Sequence, residues 1–169
     1  MRLAERPGVE CEIEIDAAPE RVWRLVSDIG TSVKYSPELQ EVEWLDGAPE
    51  PAVGCCFAGR NRNEHLGEWT TVSRISVMDE PRAFGWEVVY RHDREGDALA
   101  VWTYTLEPTA GGSGTRLRHG MRIGPGRGPL QDFVEKYPER EEQIVAGRLA
   151  LLRTGIEATL NGVKAELEA

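Results

Sequence analysis

Residues 9 to 16 read VECEIEID and alternate strictly. Val9, Cys11, Ile13 and Ile15 share one face; Glu10, Glu12, Glu14 and Asp16 share the other. A period of two with one apolar face predicts a half-buried strand. The pattern then switches. Ala17 and Ala18 turn the chain, Pro19 fits the first position of a helix, and Glu20 suits its positive first turn. Val22, Leu25, Val26 and Ile29 recur at helical spacing beside Trp23, and Gly30 ends that helix. Thr31 or Ser32 caps a very short second helix. Pro37 stops it, because Ser36 must leave the helical region.

From residue 39 the period returns to two. LQEVEWL, VGCCFAGRN, EWTTVSRISV, RAFGWEVVY, ALAVWTYTLE and TRLRHGMRIG all read as strands. Short turn signals such as Asp46-Gly47, Glu80-Pro81 and Glu95-Gly96-Asp97 separate them, which predicts an antiparallel meander. GPGRGPLQDFVEKYP, residues 124 to 138, interrupts the pattern. A long helix is predicted from about 139 to 167, with Pro138 at its start and Glu139, Glu141 and Glu142 against its N-terminal dipole. Val145, Leu149, Leu152, Ile156, Leu160, Val163 and Leu167 form one continuous stripe, on a rod about 43 Å long at 1.5 Å per residue. Gly147, Gly155 and Gly162 lower helix propensity. They are read either as points of close approach by backbone or ligand, or as tolerated glycines. The sheet must bury one face, and the long helix is the element able to cover it.

Composition narrows the function. The chain of 169 residues suits one domain, 1–169, with a single core. A net charge of -9 repels phosphate backbones and argues against nucleic acid as a partner. No run reaches the length of a membrane span, and the N-terminus lacks the apolar core of a signal peptide, so a cytoplasmic location is expected. Cys11, Cys55 and Cys56 are read as three reduced thiols, and His65, His92 and His119 share no ligand spacing. No metal site, nucleotide loop or nucleophile constellation is present in the sequence, and no cofactor is expected.

IDAAPERVWRLVSD, VGCCFAGRNR, EWTTVSRISV, EPRAFGWEV, WTYTLEP and GTRLRHGMR, in this order and spacing, resemble the helix-grip (START-like, SRPBCC) superfamily. That group holds START lipid-transfer domains, birch-pollen-allergen-type proteins and the bacterial polyketide cyclase/dehydrase and lipid-transport family. The resemblance covers nearly the whole chain. It implies an α+β fold: a seven-stranded curled antiparallel sheet around a long C-terminal helix, with two short helices after strand one and a cavity between sheet and helix. It also implies that strand one pairs with both strand two and strand seven. Glu10, Glu12 and Glu14 would then lie beside Arg116, Arg118 and Arg122 as a solvated, register-fixing ladder.

Parity assigns the inward faces. Cys55, Phe57, Gly59 and Asn61 share one; Trp69, Thr71, Ser73, Ile75 and Val77 the next; then Phe84, Trp86, Val88 and Tyr90; Trp102, Tyr104 and Leu106; and Leu117, His119 and Met121. Such faces are either solid core or the aromatic walls of a site for a flat, apolar ligand. The candidate ligand-binding residues are Asn61, Trp69, Ser73, Trp86, Trp102, Tyr104, Met121, Phe133, Leu152, Gly155 and Ile156. His119 and Tyr90 are the candidate catalytic residues, His119 as general acid or base and Tyr90 as proton donor. The competing reading makes each a hydrogen-bonded structural group. The 124–138 segment is either a gate, hinged at Gly124, Gly126 and Gly128 with Leu130, Phe133 and Val134 closing over the ligand, or a plain connection with a short helix. The expected function is binding of a hydrophobic small molecule, polyketide, aromatic or lipid-like. The alternative is a polyketide cyclase/aromatase/dehydratase-type enzyme using the same cavity. A third reading is an interaction module, for which Leu99 and Val101, on outward parity, hint at a homodimer contact.

Overall fold

The computed structural model describes residues 1–47 and 50–169. Strand β1 (Gly8–Ile15) leads into helices α1 (Pro19–Val26) and α2 (Thr31–Tyr35). Six strands follow: β2 (Leu39–Trp44), β3 (Cys56–Asn63), β4 (Gly67–Asp79), β5 (Ala83–Val89), β6 (Ala100–Pro108) and β7 (Thr115–Ile123). A short helix, α3 (Pro129–Lys136), precedes the long α4 (Glu141–Leu167). The chain therefore has the expected helix-grip architecture, with α3 as an added element.

All six strand pairings are antiparallel, in the order β1-β7-β6-β5-β4-β3-β2. This corrects one expectation: β1 pairs with β7 but not with β2, and these two strands are opposite edges of the sheet. The reason is the pair of short helices, which carries the chain from one edge to the other. The open side of β1 is managed by α4, whose Lys164 Nζ donates to the Glu14 carbonyl at 2.7 Å. The charge ladder forms in part. Glu12 lies opposite Arg118 and Glu14 opposite Arg116, with ion pairs of 2.9 and 3.4 Å. Glu10 faces Gly120, and Arg122 instead donates to the Arg6 carbonyl.

The main core lies between the concave face and α4. Val145, Leu149, Leu152, Ile156, Leu160 and Val163 are buried against Val9, Ile15, Ile75, Phe84, Tyr104, Leu106 and Leu117. Val22, Trp23 and Val26 of α1 join this cluster, and the Trp23 ring meets Phe84 edge-on at 6.2 Å. A smaller cluster of Cys56, Val72 and Val89 forms separately.

The segment after β7 is fastened rather than hinged. Gly124 N–H donates to the Leu99 carbonyl at 2.9 Å and Gly126 N–H to that of Ala98 at 2.7 Å. A Cβ at either glycine would run into the carbonyl of Ala98 or Asp97. These glycines permit backbone contact, so the hinged-gate reading is replaced by the plain connection with a short helix. Leu99 is half-buried, and its side chain packs close to Gly128 of the same chain.

The helix glycines divide. A Cβ on Gly147 would meet nothing within 4 Å. On Gly155 it would make ordinary contact with Pro37 at 3.5 Å, whereas on Gly162 it would overlap the Tyr35 ring of α2. Gly147→Ala should raise unfolding stability by about 0.5–1 kcal/mol through helix propensity. Gly162→Ala should lower it by about 1 kcal/mol net, since overpacking outweighs the same propensity gain. Urea melts of the two variants, expected to shift in opposite directions, check this.

Candidate functional site

Between the concave face and α4 the packing is incomplete. A cavity of about 160 Å³ lies there, partly open at the end where α1, α2 and the α2–β2 connection meet α4. The strand period places its walls. Phe57, Ser73 and Val88 are register partners across β3, β4 and β5, and Trp86 lies opposite Trp102 across β5 and β6. The Trp86 and Trp102 rings stack at 6.0 Å with 7° between planes, and Phe84 lies 5.6 Å from Trp86. Leu152, Gly155 and Ile156 of α4 close the other side, and Val26 and Ile29 the end.

One polar pair sits in this aromatic wall. His119 of β7 lies opposite Tyr104 of β6, and the two rings stack at 3.8 Å with 6° between planes. His119 Nδ1 is 2.9 Å from the Thr103 carbonyl oxygen. A carbonyl only accepts, so Nδ1 carries the proton and donates. Nε2 then has its lone pair free and is open to the cavity that His119 lines, since no fully buried side-chain nitrogen or oxygen among the described residues lacks a partner. Burial pushes the His119 pKa down to about 4, with the Thr103 bond opposing in part, so the imidazole is neutral near pH 7. Burial pushes Tyr104 up to about 12 despite its 3.4 Å contact with the Ser32 hydroxyl, and it stays a neutral phenol. Ser73, opposite Phe57, also lines the cavity. Asn61 Nδ2 makes only long contacts, 3.4 Å to Thr71 Oγ1 and 3.5 Å to the Gly59 carbonyl.

The rim carries charge. Arg148 of α4 grips Glu38 at 2.8 and 3.1 Å, and Asn63 Nδ2 donates to the same carboxylate at 2.7 Å. Arg148 also lies over the Trp69 ring, 5.9 Å from its centroid. This knot ties the α2–β2 connection to the helix and to the far ends of β3 and β4.

Of the residues singled out in the sequence, His119, Asn61, Ser73, Trp86, Trp102, Tyr104, Leu152, Gly155 and Ile156 line the cavity together. Four do not. Tyr90 is partly exposed, just beyond β5, and its hydroxyl donates to the Arg127 carbonyl. Trp69 belongs to the rim knot. Met121 is buried in the core near the β1 edge, opposite Val9. Phe133 is 49% exposed on α3, edge-on to Tyr137. Parity gave the face of most strand residues but not their depth along the strand, and it fails past the β4 bulge between Ile75 and Val77, where Met78 packs on the core and Val77 is exposed. Asp28, Ser32, Ser36, Pro37, Glu38 and Thr159 also line the cavity and were missed. Thr159 was readable, three residues after Ile156 on the inward stripe. The others stand in or beside short helices where no long period exists to follow.

The family of polyketide cyclase/dehydrase and lipid-transport proteins matches residues 6–168. Among solved structures, the Polyketide_cyc-like protein Cgl2372 of Corynebacterium glutamicum is 32% identical, with a TM-score of 0.64 over 95% of this chain and 91% of that one. The Zhui aromatase/cyclase of a Streptomyces species is 18% identical, with a TM-score of 0.65 over 96% and 93%. Ginseng major latex-like protein 151 is 12% identical, with a TM-score of 0.60 over 96% and 98%. The last two likenesses speak for the fold alone. No curated protein sequence matches significantly. With the family's model matching residues 6–168, nearly the whole chain, the chain belongs to the polyketide cyclase/dehydrase and lipid-transport family.

Proposed function

We propose that the protein binds one small, largely apolar molecule in the cavity between sheet and α4. The observation that carries this reading is the aromatic wall. Phe57, Phe84, Trp86 and Trp102 leave about 160 Å³ of space unfilled. An unfilled space of this size forfeits packing that a solid core would have, and it is an apolar site ready for a ligand. The volume is about that of an engineered cavity known to hold one benzene ring. A compact aromatic or short-chain molecule fits it as it stands. A multi-ring chain requires the rim around Glu38 and Arg148 to give way.

A second reading, cyclase-type chemistry, is favoured by the free Nε2 of His119 at the cavity wall. Its support is weaker, because burial makes His119 a poor base. If catalysis does run through it, His119→Ala should abolish turnover of a polyketide-like substrate and leave dye binding in place.

Two measurements follow. A lipophilic dye should brighten on binding to the protein, and Gly155→Trp, which directs a large ring at Pro37 and the cavity mouth, should reduce that response severalfold. A dye response absent in the wild type, or untouched by the tryptophan, speaks against the cavity. The second measurement is pH-dependent stability. His119 titrates near 6.5 in the unfolded chain and near 4 in the folded one. Its contribution is therefore complete above pH 6.5 and is lost as pH falls toward 4, because only the unfolded chain takes up the proton there. The loss amounts to about 3 kcal/mol across that window. The wild type minus His119→Phe difference in unfolding free energy should shrink by about that much on going from pH 7 to 4.

A further inference from the structure

The charge lining the cavity is of one sign. Among the described residues its charged lining is Asp28 and Glu38, with no lysine or arginine. Arg148, at the rim, is held by both oxygens of Glu38. Asp28 Oδ1 accepts from the Gly30 N–H. A carboxylate entering here would be stripped of water, meet two carboxylates, and find no cation in return.

The uncharged polar groups favour a different ligand. Tyr104 and Ser32 face each other, Thr159 donates to the Gly155 carbonyl, and Ser36 accepts from two backbone N–H groups. Two groups stand apart. His119 and Ser73 are each only 3% exposed and line the cavity, and since no fully buried side-chain nitrogen or oxygen among the described residues lacks a partner, His119 Nε2 and Ser73 Oγ are open to the cavity space. With Nδ1–H committed to Thr103, Nε2 can only accept. An acceptor that faces the cavity gives a hydrogen bond to a ligand that brings an O–H and none to a ligand without a donor.

Resting on the cavity-binding reading above, we infer that the site selects a neutral aromatic of about one ring bearing a hydroxyl donor, a phenol, and rejects carboxylates, with His119 Nε2 as the group that reads the donor. Ser73, on the far side of the Trp86 row, offers a second point for a carbonyl or hydroxyl.

The test uses three para-propylbenzene probes that differ at one position, on the full-length protein at neutral pH: para-propylphenol, para-propylanisole and para-propylbenzoate. Binding is read by calorimetry and by quenching of the tryptophan fluorescence. The phenol should bind about tenfold more tightly than the anisole, the equivalent of one hydrogen bond. The benzoate should bind more weakly than either. His119→Phe keeps an aromatic ring opposite Tyr104 and removes the acceptor, and it should bring the phenol and the anisole to the same affinity. His119→Leu serves the same purpose if the phenylalanine variant does not fold, and the wild-type comparison needs no variant. Benzoate binding as tight as the phenol, or equal binding of phenol and anisole, overturns the inference. Dye binding without selectivity among the probes overturns it while sparing the cavity reading. Failure of the dye and all three probes overturns both.

Discussion

A seven-stranded sheet with an aromatic face has to hide that face, and one long helix does most of the hiding. At strand spacings near 4.8 Å the sheet is about 29 Å wide, whereas a helix with its side chains is about 10–12 Å across. The mismatch is resolved in two ways. The sheet curls, so that β1 at one edge and the aromatic rows of β5 and β6 both reach α4. The two short helices α1 and α2 then fill part of what remains, through Val22, Trp23 and Val26. What neither covers is the cavity. It is a geometric consequence of closing a curled sheet with a single rod, and its position follows from where α1 and α2 run out.

The same constraint explains what could be read from the residues. Alternation revealed every strand, and the seven-residue inward stripe revealed α4, because both patterns repeat long enough to be unmistakable. Pairing was harder. The Glu12–Arg118 and Glu14–Arg116 partners follow once β1 lies beside β7, yet nothing local in VECEIEID says that β2 is at the opposite edge. Glycine was hardest. Gly147 and Gly162 look alike in sequence, but one faces empty space and the other lies against the Tyr35 ring. What decides a glycine's role is its neighbour across the fold, which local sequence does not name. Depth along a strand was hidden for the same reason. Trp69 and Ser73 share a face of β4, but only Ser73 lies far enough in to reach the cavity, while Trp69 ends beneath Arg148 at the rim.

The polar groups of the cavity are few, and their surroundings set their character. A histidine tuned for proton transfer near pH 7 would gain from a carboxylate on its far nitrogen, which raises basicity. His119 has a backbone carbonyl there, and a tyrosine ring stacked on its face. Both hold the ring in place and fix the tautomer, and neither offers a charge to stabilise an imidazolium. Burial then dominates. The arrangement yields an oriented acceptor.

Orientation and proton transfer differ by a quantity that can be put in numbers. A phenol hydroxyl with a pKa near 10, held at an imidazole whose pKa is about 4, would have to lose its proton uphill by about 8 kcal/mol. The proton therefore stays on the ligand, and the hydrogen bond persists as a recognition contact. For His119 to act as a base instead, something would have to raise its pKa on binding. Among the described residues Asp28 and Glu38 are the only carboxylates lining the cavity, and both have other partners, Gly30 N–H for the first and Arg148 for the second. Any catalysis in this cavity would accordingly draw on shape, with the stacked Trp86 and Trp102 and the α4 wall holding a flexible chain in a productive fold, more than on acid–base strength.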